Sequence, residues 1–222
     1  MSKVIKVIFI VILISASNYA KAWEGSELDY SEASIVDSVA RSIYYRLNTT
    51  ALDYSVFYNA YTGYLEYKNN GVIKNENIIT IIDFDKTSIE KRFFVIDLES
   101  KSILYYSYVA HGAKSGGLKA ESFSNTKYSN QSSLGFYLTD NTYYGKHGLS
   151  LKLDGLEKGK NDKARERYIV IHSADYVSEE FILENYTLGN SKGCPAISED
   201  IYKDVIRQIK NKSLLFIYSS NN

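Results

Sequence analysis

Cys194 is the only cysteine in a chain of 222 residues, and Pro195 beside it is the only proline. The pair lies in LGNSKGCPAIS, residues 188–198, with Gly193 on the other side of the sulfur. A thiol near its ordinary pKa of about 8.5 is mostly protonated at neutral pH, so a nucleophilic cysteine requires a base or a positive field. Three histidines are on offer: His111, His147 and His172. His172 ends the apolar run YIVI and precedes Cys194 by 22 positions. A strand that stays hydrophobic up to such a residue delivers the imidazole to the rim of a sheet, and the interval has room for a short helix that returns the cysteine loop to that rim. The plainer alternative for His172 is a ring that satisfies a turn carbonyl.

The neighbours of the thiol fit a held nucleophile. Gly193 permits backbone angles closed to other residues, and the amides of Gly193 and Cys194 are candidates for an oxyanion hole in acyl transfer. Pro195 stiffens the exit of the turn. Ser191 can hydrogen-bond the loop backbone, and Lys192 is expected in solvent. Three dispersed histidines and one cysteine make no pair at zinc-like spacing, so neither metal nor cofactor is expected.

The elements that must position these groups are readable from periodicity. Apolar positions from Glu27 to Leu47 (Ile35, Val36, Val39, Ala40, Ile43, Tyr44, Leu47) recur at helical spacing, as do those from Leu52 to Tyr67. Strands are expected at 78–84, in RFFVIDLE and ILYYSYVAHG either side of Ser100-Lys101, and at 135–140, 148–155, 168–174 and 214–219. Helices are expected at 178–186 and 198–210, with Ser26 and Ser178 as cap residues. The fold class is therefore mostly β with helices, α+β. Its expected parts are a signal peptide at 1–22, an N-terminal helical segment at 23–75 and a catalytic domain at 76–222.

The leader reading rests on Lys3 and Lys6, the apolar run Val7–Ile14 and the small-x-small end Ala20-Lys21-Ala22. Its apolar run is shorter than the roughly 20 residues that span a bilayer, so the mature chain is expected in the periplasm or cell envelope, without an integral membrane segment. A lone thiol in an oxidising compartment has no intramolecular partner, which favours a chemical use. The whole chain balances 26 basic against 26 acidic side chains, and the leader removes three lysines and no acid. Nothing in that balance points to nucleic acid. The 21 tyrosines admit a sugar-binding surface, but codon bias is the simpler source.

The order His-Ser, then Ser-x-Gly-Cys, resembles the signature of L,D-transpeptidases, the YkuD-type cysteine enzymes that crosslink peptidoglycan. The run from Gly145 to Ser198, GKHGLSLKLDG through HSADYVS to SKGCPAIS, is similar to the murein L,D-transpeptidase catalytic-domain branch. HGAKSG at 111–116 and FSNTKYSNQSSLGFY at 123–137 extend the likeness, which covers about half the mature chain and leaves out the helical part before residue 75. The resemblance implies a β-sandwich-like catalytic domain and two-step acyl transfer on peptidoglycan stem peptides through a thioester. L,D-carboxypeptidase trimming results where water is the acceptor. It also implies Cys194 as nucleophile, His172 as general base, and Ser173 as the residue whose carbonyl orients the imidazole. Ser191 and Gly193 match the loop signature.

For substrate binding, Ser191, His147 on its GKHG turn, Arg167 and His111 are the candidates. Arg167 and His147 would hold donor carboxylates or the loop, an arginine fork suiting a carboxylate; the plainer reading of Arg167 is a surface salt bridge. His111 would border the cleft from a glycine-rich loop. The sequence departs from the branch at Asn190, often Arg there, at Lys192, often His or aromatic, and at Ser173, often Gly, all of which bear on substrate preference. Two rivals remain: a non-catalytic cell-wall-binding protein, and a sortase-like transpeptidase using Arg207, 13 positions past Cys194 but in a helical pattern.

Overall fold

The computed structural model describes residues 32–221. The expected signal peptide and the Ser26 cap lie outside the described residues. No described helix is long and apolar enough to cross a membrane.

The described residues open with α1 (Glu32–Leu47) and α2 (Tyr54–Asn69). The strands β1 (Ile78–Asp83), β2 (Phe93–Asp97), β3 (Ser102–Ser107), β4 (Gly135–Gly145), β5 (Gly148–Gly155) and β6 (Val170–Ser173) follow. After them come α3 (Glu179–Asn185), β7 (Ala196–Ile197), α4 (Tyr202–Ile209) and β8 (Leu214–Tyr218). All eight strands form one order, β3-β2-β1-β8-β4-β5-β6-β7. Every residue of β1 is buried because both its faces are covered, which is why IITIID reads as an unbroken apolar run rather than an alternating one.

Ile79 and Ile81 point to one core, shared with Phe57, Ala60, Tyr61 and Tyr64 of α2. Ile78 and Ile82 point to the other, which joins Phe93 and Val95 to Ile171, Ile197 and the buried face of α4. The second core thus gathers residues from opposite ends of the strand order. An antiparallel bridge from Ala110, just past β3, to Ala196 of β7 ties those ends together. The two layers expected of a sandwich are one continuous sheet folded over its own core.

The N-terminal helices share their core with this sheet rather than having one of their own. Gly63 of α2 fits against β4 because a Cβ there would stand 2.1 Å from the Phe136 ring. Of the apolar positions expected along α1, Ala40, Ile43 and Leu47 are buried, whereas Ile35 and Val39 are 50% and 44% exposed.

Two local differences bear on the site. β4 runs on to Gly145, beyond the expected end at residue 140, because a register shift between Thr139 and Thr142 lets the polar stretch keep pairing with β5. The resulting long hairpin holds Lys146 and His147 at its tip, turned by Gly148 at φ +72°. The sequence reading also lacks β7, whose two residues pair in parallel with β6, His172 opposite Ala196 and Ser173 opposite Ile197. α3 is capped as expected, the Ser178 hydroxyl accepting from the Phe181 amide at 3.1 Å.

Candidate active site

The β6–β7 pairing sets the cysteine loop beside the histidine. His172 is in register with Ala196, two residues past Cys194, and paired strands lie about 4.8 Å apart. The thiol rests against the backbone just ahead of His172, its Sγ donating to the Tyr168 carbonyl at 3.6 Å. That carbonyl is aimed by an unusual backbone: Tyr168 has φ +57°, rare for a bulky residue, and its ring is 78% exposed. The Cys194 residue is partly exposed while its sulfur is desolvated. Burial pushes the thiol pKa above its ordinary value, against the opposing pull of the Val170 amide and the positive charge of Arg167. A sulfur bonded to an acceptor-only carbonyl is a resting thiol rather than a thiolate.

Ser191 and Gly193 shape the loop. The Ser191 hydroxyl donates to the Cys194 carbonyl at 2.6 Å and accepts the Gly193 amide at 3.0 Å. These bonds correct two expectations: Ser191 is buried and spends its hydroxyl on the loop, so it offers nothing to a substrate, and the Gly193 amide is taken and does not face an oxyanion. The Cys194 amide has no hydrogen-bond partner among the described residues. Gly193 is needed sterically, since it sits at φ +118° with its missing Cβ 2.7 Å from the Gln131 carbonyl.

His172 is 3% exposed, and its Nδ1 lies 2.8 Å from the Ser173 carbonyl. A carbonyl only accepts, so Nδ1 carries the proton and Nε2 keeps a lone pair. Burial holds the His172 pKa below the usual imidazole range, partly offset by the Ser173 carbonyl, and His147 lowers it further. The His147 ring stacks on it with centroids 4.4 Å apart and planes 25° apart. A neutral base with one oriented nitrogen and one available nitrogen suits proton abstraction from a thiol.

Among the described residues Arg167 makes no salt bridge, and both its Nη groups are engaged. Its guanidinium donates to the carbonyls of Ser124 and Gln131, both at 2.5 Å, and to the hydroxyls of Ser133 and Ser129 at 3.1 and 3.3 Å. It therefore holds the loop before β4, which in turn supports Gly193, Ser132 donating to the Gly193 carbonyl at 3.4 Å.

His111 is corrected more fully. It is 0% exposed, with Nδ1 accepting from Arg92 at 2.9 Å and Nε2 donating to the Gly116 carbonyl at 3.2 Å. Burial and the adjacent guanidinium press its pKa down to about 4. Its ring cannot border a cleft; what it gives the site is its backbone carbonyl, which accepts the Ser191 amide at 3.0 Å.

The structure thus gathers Cys194, His172, Ser173, Gly193, Ser191, His147 and Arg167 around one loop, and withdraws the His111 ring. Sequence reasoning missed Tyr168, whose role lies in its carbonyl and φ, and Arg92, fully buried at the start of β2 with Nε and Nη2 on the Val109 carbonyl at 3.1 and 2.9 Å. No side-chain pattern announces either one. Arg207, which a sortase-like site would need at the thiol, is 72% exposed on α4 and pairs with Asp204 at 2.6 Å.

The profile of the L,D-transpeptidase catalytic domain matches residues 48–218, and so takes in α2. No curated protein matches the chain. Similar solved structures include an L,D-transpeptidase from Mycobacterium smegmatis, 11% identical at a TM-score of 0.39, covering 64% of this chain and 59% of that one. An L,D-transpeptidase from Mycobacterium tuberculosis is 10% identical at 0.41, covering 64% and 58%. The helical cell shape determining protein Pgp2 from Campylobacter jejuni is 12% identical at 0.42, covering 65% and 48%. The chain spans less than two thirds of the length of each of these structures. With a matched stretch that covers most of its length, the chain belongs to the L,D-transpeptidase catalytic-domain family.

Proposed function

We propose that the protein is a cysteine acyltransferase acting on peptidoglycan stem peptides outside the cytoplasmic membrane. The observation that supports this best is the strand register that sets the loop of a partly exposed cysteine beside an imidazole whose Nδ1 is fixed by the Ser173 carbonyl. In the reaction, His172 Nε2 takes the thiol proton and the electron pair stays on Sγ. The sulfur attacks the carbonyl carbon that follows the L-centre of the third stem residue. An S–C bond forms and the oxyanion develops toward the Cys194 amide. Collapse breaks the C–N bond, and the imidazolium returns its proton to the departing D-residue amine. An amine or water then attacks the thioester with His172 as base, releasing product and restoring the thiol.

In this reading Gly193 and Ser191 hold the loop and His147 covers the outer face of the base; none of the three needs to touch the donor. The test is incubation of the mature protein, and its Cys194→Ala variant, with purified muropeptides, followed by mass spectrometry. Loss of the D-residue with a new crosslink, an exchanged D-amino acid, a modified lysine or a trimmed tripeptide each identifies one acceptor, and each must vanish in the variant. An unchanged muropeptide pattern, together with a Cys194 that does not react with a carbapenem, would leave cell-wall binding without catalysis.

A further inference from the structure

Arg167 is a half-buried cation whose two Nη groups are each held by two acceptors but whose charge is not balanced. All four of its hydrogen bonds end on neutral oxygens, and no carboxylate lies within ion-pair distance among the described residues. Neutral acceptors relieve the cost of burying N–H groups but not the cost of burying the charge. The groups whose negative forms would favour this cation are Tyr137 and Cys194. The Tyr137 hydroxyl is fully buried, donates to the Ser133 carbonyl at 2.8 Å and lies 2.6 Å from the Ser133 hydroxyl, and burial keeps it neutral. That leaves the thiol as the one neighbour able to become an anion. Arg167 faces it across Gly193: Nη2 stands 3.2 Å from the position a Cβ on Gly193 would occupy.

We propose that Arg167 is a positioning residue for acylation, a cation fixed by the 124–133 loop behind Gly193, toward which the Cys194 thiolate forms as His172 takes the proton. The inference rests on the reading of Cys194 as nucleophile. The remaining ionisable groups around the sulfur complete the field. His172 on β6 becomes cationic as the thiolate forms, and His147 stacks on it from the hairpin tip. Tyr176, after β6, stays neutral, its pKa held up by burial near about 12. Lys192, on the same loop as the thiol, is exposed. Arg167 is thus the permanent positive charge in this set that is both half-buried and immobilised.

The test is a pH titration of Cys194 alkylation by iodoacetamide in the wild type, Arg167→Gln and Arg167→Lys, with folding checked by near-ultraviolet circular dichroism. Arg167→Gln should raise the thiol pKa by about one unit and slow alkylation at pH 7 about tenfold, while the plateau rate at high pH is kept. Arg167→Lys, which keeps the charge without the fork, should stay within about half a unit of wild type. An unshifted pKa in the Gln variant, or equal shifts in both variants, would overturn the proposal, the second by assigning the effect to loop collapse. Should the Gln variant fail to fold, the Lys variant decides alone: a full-unit rise despite retained charge overturns the proposal. Because the titration uses no peptidoglycan, a shifted thiol in a protein that transfers no acyl group removes only the enzyme reading.

Discussion

His111 and His172 lie on either side of the bridge that closes the sheet, each within reach of an arginine-held loop, yet they are built for opposite ends. His111 has both ring nitrogens engaged, one by Arg92 and one by the Gly116 carbonyl, and is fully buried. His172 has one nitrogen engaged by the Ser173 carbonyl, and its outer face is covered by another imidazole rather than by the core. Burial depresses both pKa values, so a depressed pKa does not by itself single out a candidate base. The separating feature is the second ring nitrogen: that of His111 is engaged, while no hydrogen bond engages His172 Nε2 among the described residues, on the strand paired with the one that follows the cysteine.

The sharpest way to break this comparison is to remove each ring in turn. His172→Ala should slow Cys194 acylation about 10²–10⁴-fold with little change in thermal stability. His111→Phe should do the reverse: the Nη2 of a buried Arg92 loses an acceptor, which costs about 2–4 kcal/mol by denaturant unfolding, while the folded fraction acylates far faster than the His172 variant. Equal activity losses in both would erase the distinction.

The pH dependence of stability sharpens it further. His111 has a folded pKa of about 4, below its unfolded value near 6.5. Its contribution is therefore fully present above pH 6.5 and falls away as pH drops toward 4, by about 3 kcal/mol in total. His111→Phe should flatten the stability curve in that window, which an unfolding series between pH 4 and 7 would measure. Smaller still, Gly193→Ala should cost about 1–3 kcal/mol through its φ and the clash with the Gln131 carbonyl, read as a lowered Tm.

The smallest expected effect concerns His147. The reactive pair needs His172 deprotonated, so the acid limb of the acylation rate should fall below pH 6.5 and the alkaline limb, set by the raised thiol, above its ordinary value. His147→Phe keeps a stacked ring and removes one cause of the lowered His172 pKa, so the acid limb should move up by less than about one unit. A limb that moves down would contradict the stacking account.

Much of this was legible from residue types. The buried strands announce themselves as β-branched and aromatic runs, and the lone thiol, the strand-end His172 and the loop residues Gly193 and Ser191 stand out by chemistry. What escaped were features that reside in backbone geometry. β7 is two residues long, too short for any period, yet its register with β6 places the thiol. The strand expected at 135–140 stops short in the sequence reading, and only the register shift shows that β4 continues. Arg92 looks like the solvent-facing start of a strand; its burial depends on the Val109 and Lys86 carbonyls, 17 and 6 residues away in sequence. The Gly193 amide looked available for an oxyanion because nothing in the sequence says where the Ser191 hydroxyl points.

The most direct test of the Cys194–His172 pair is intact-protein mass spectrometry of the acyl-enzyme formed on a stem tetrapeptide. The wild type should gain the tripeptide acyl mass on Cys194 within the mixing time, and His172→Ala should gain it at least about 100-fold more slowly. An adduct on any residue other than Cys194, or acylation of His172→Ala at the wild-type rate, would contradict the account.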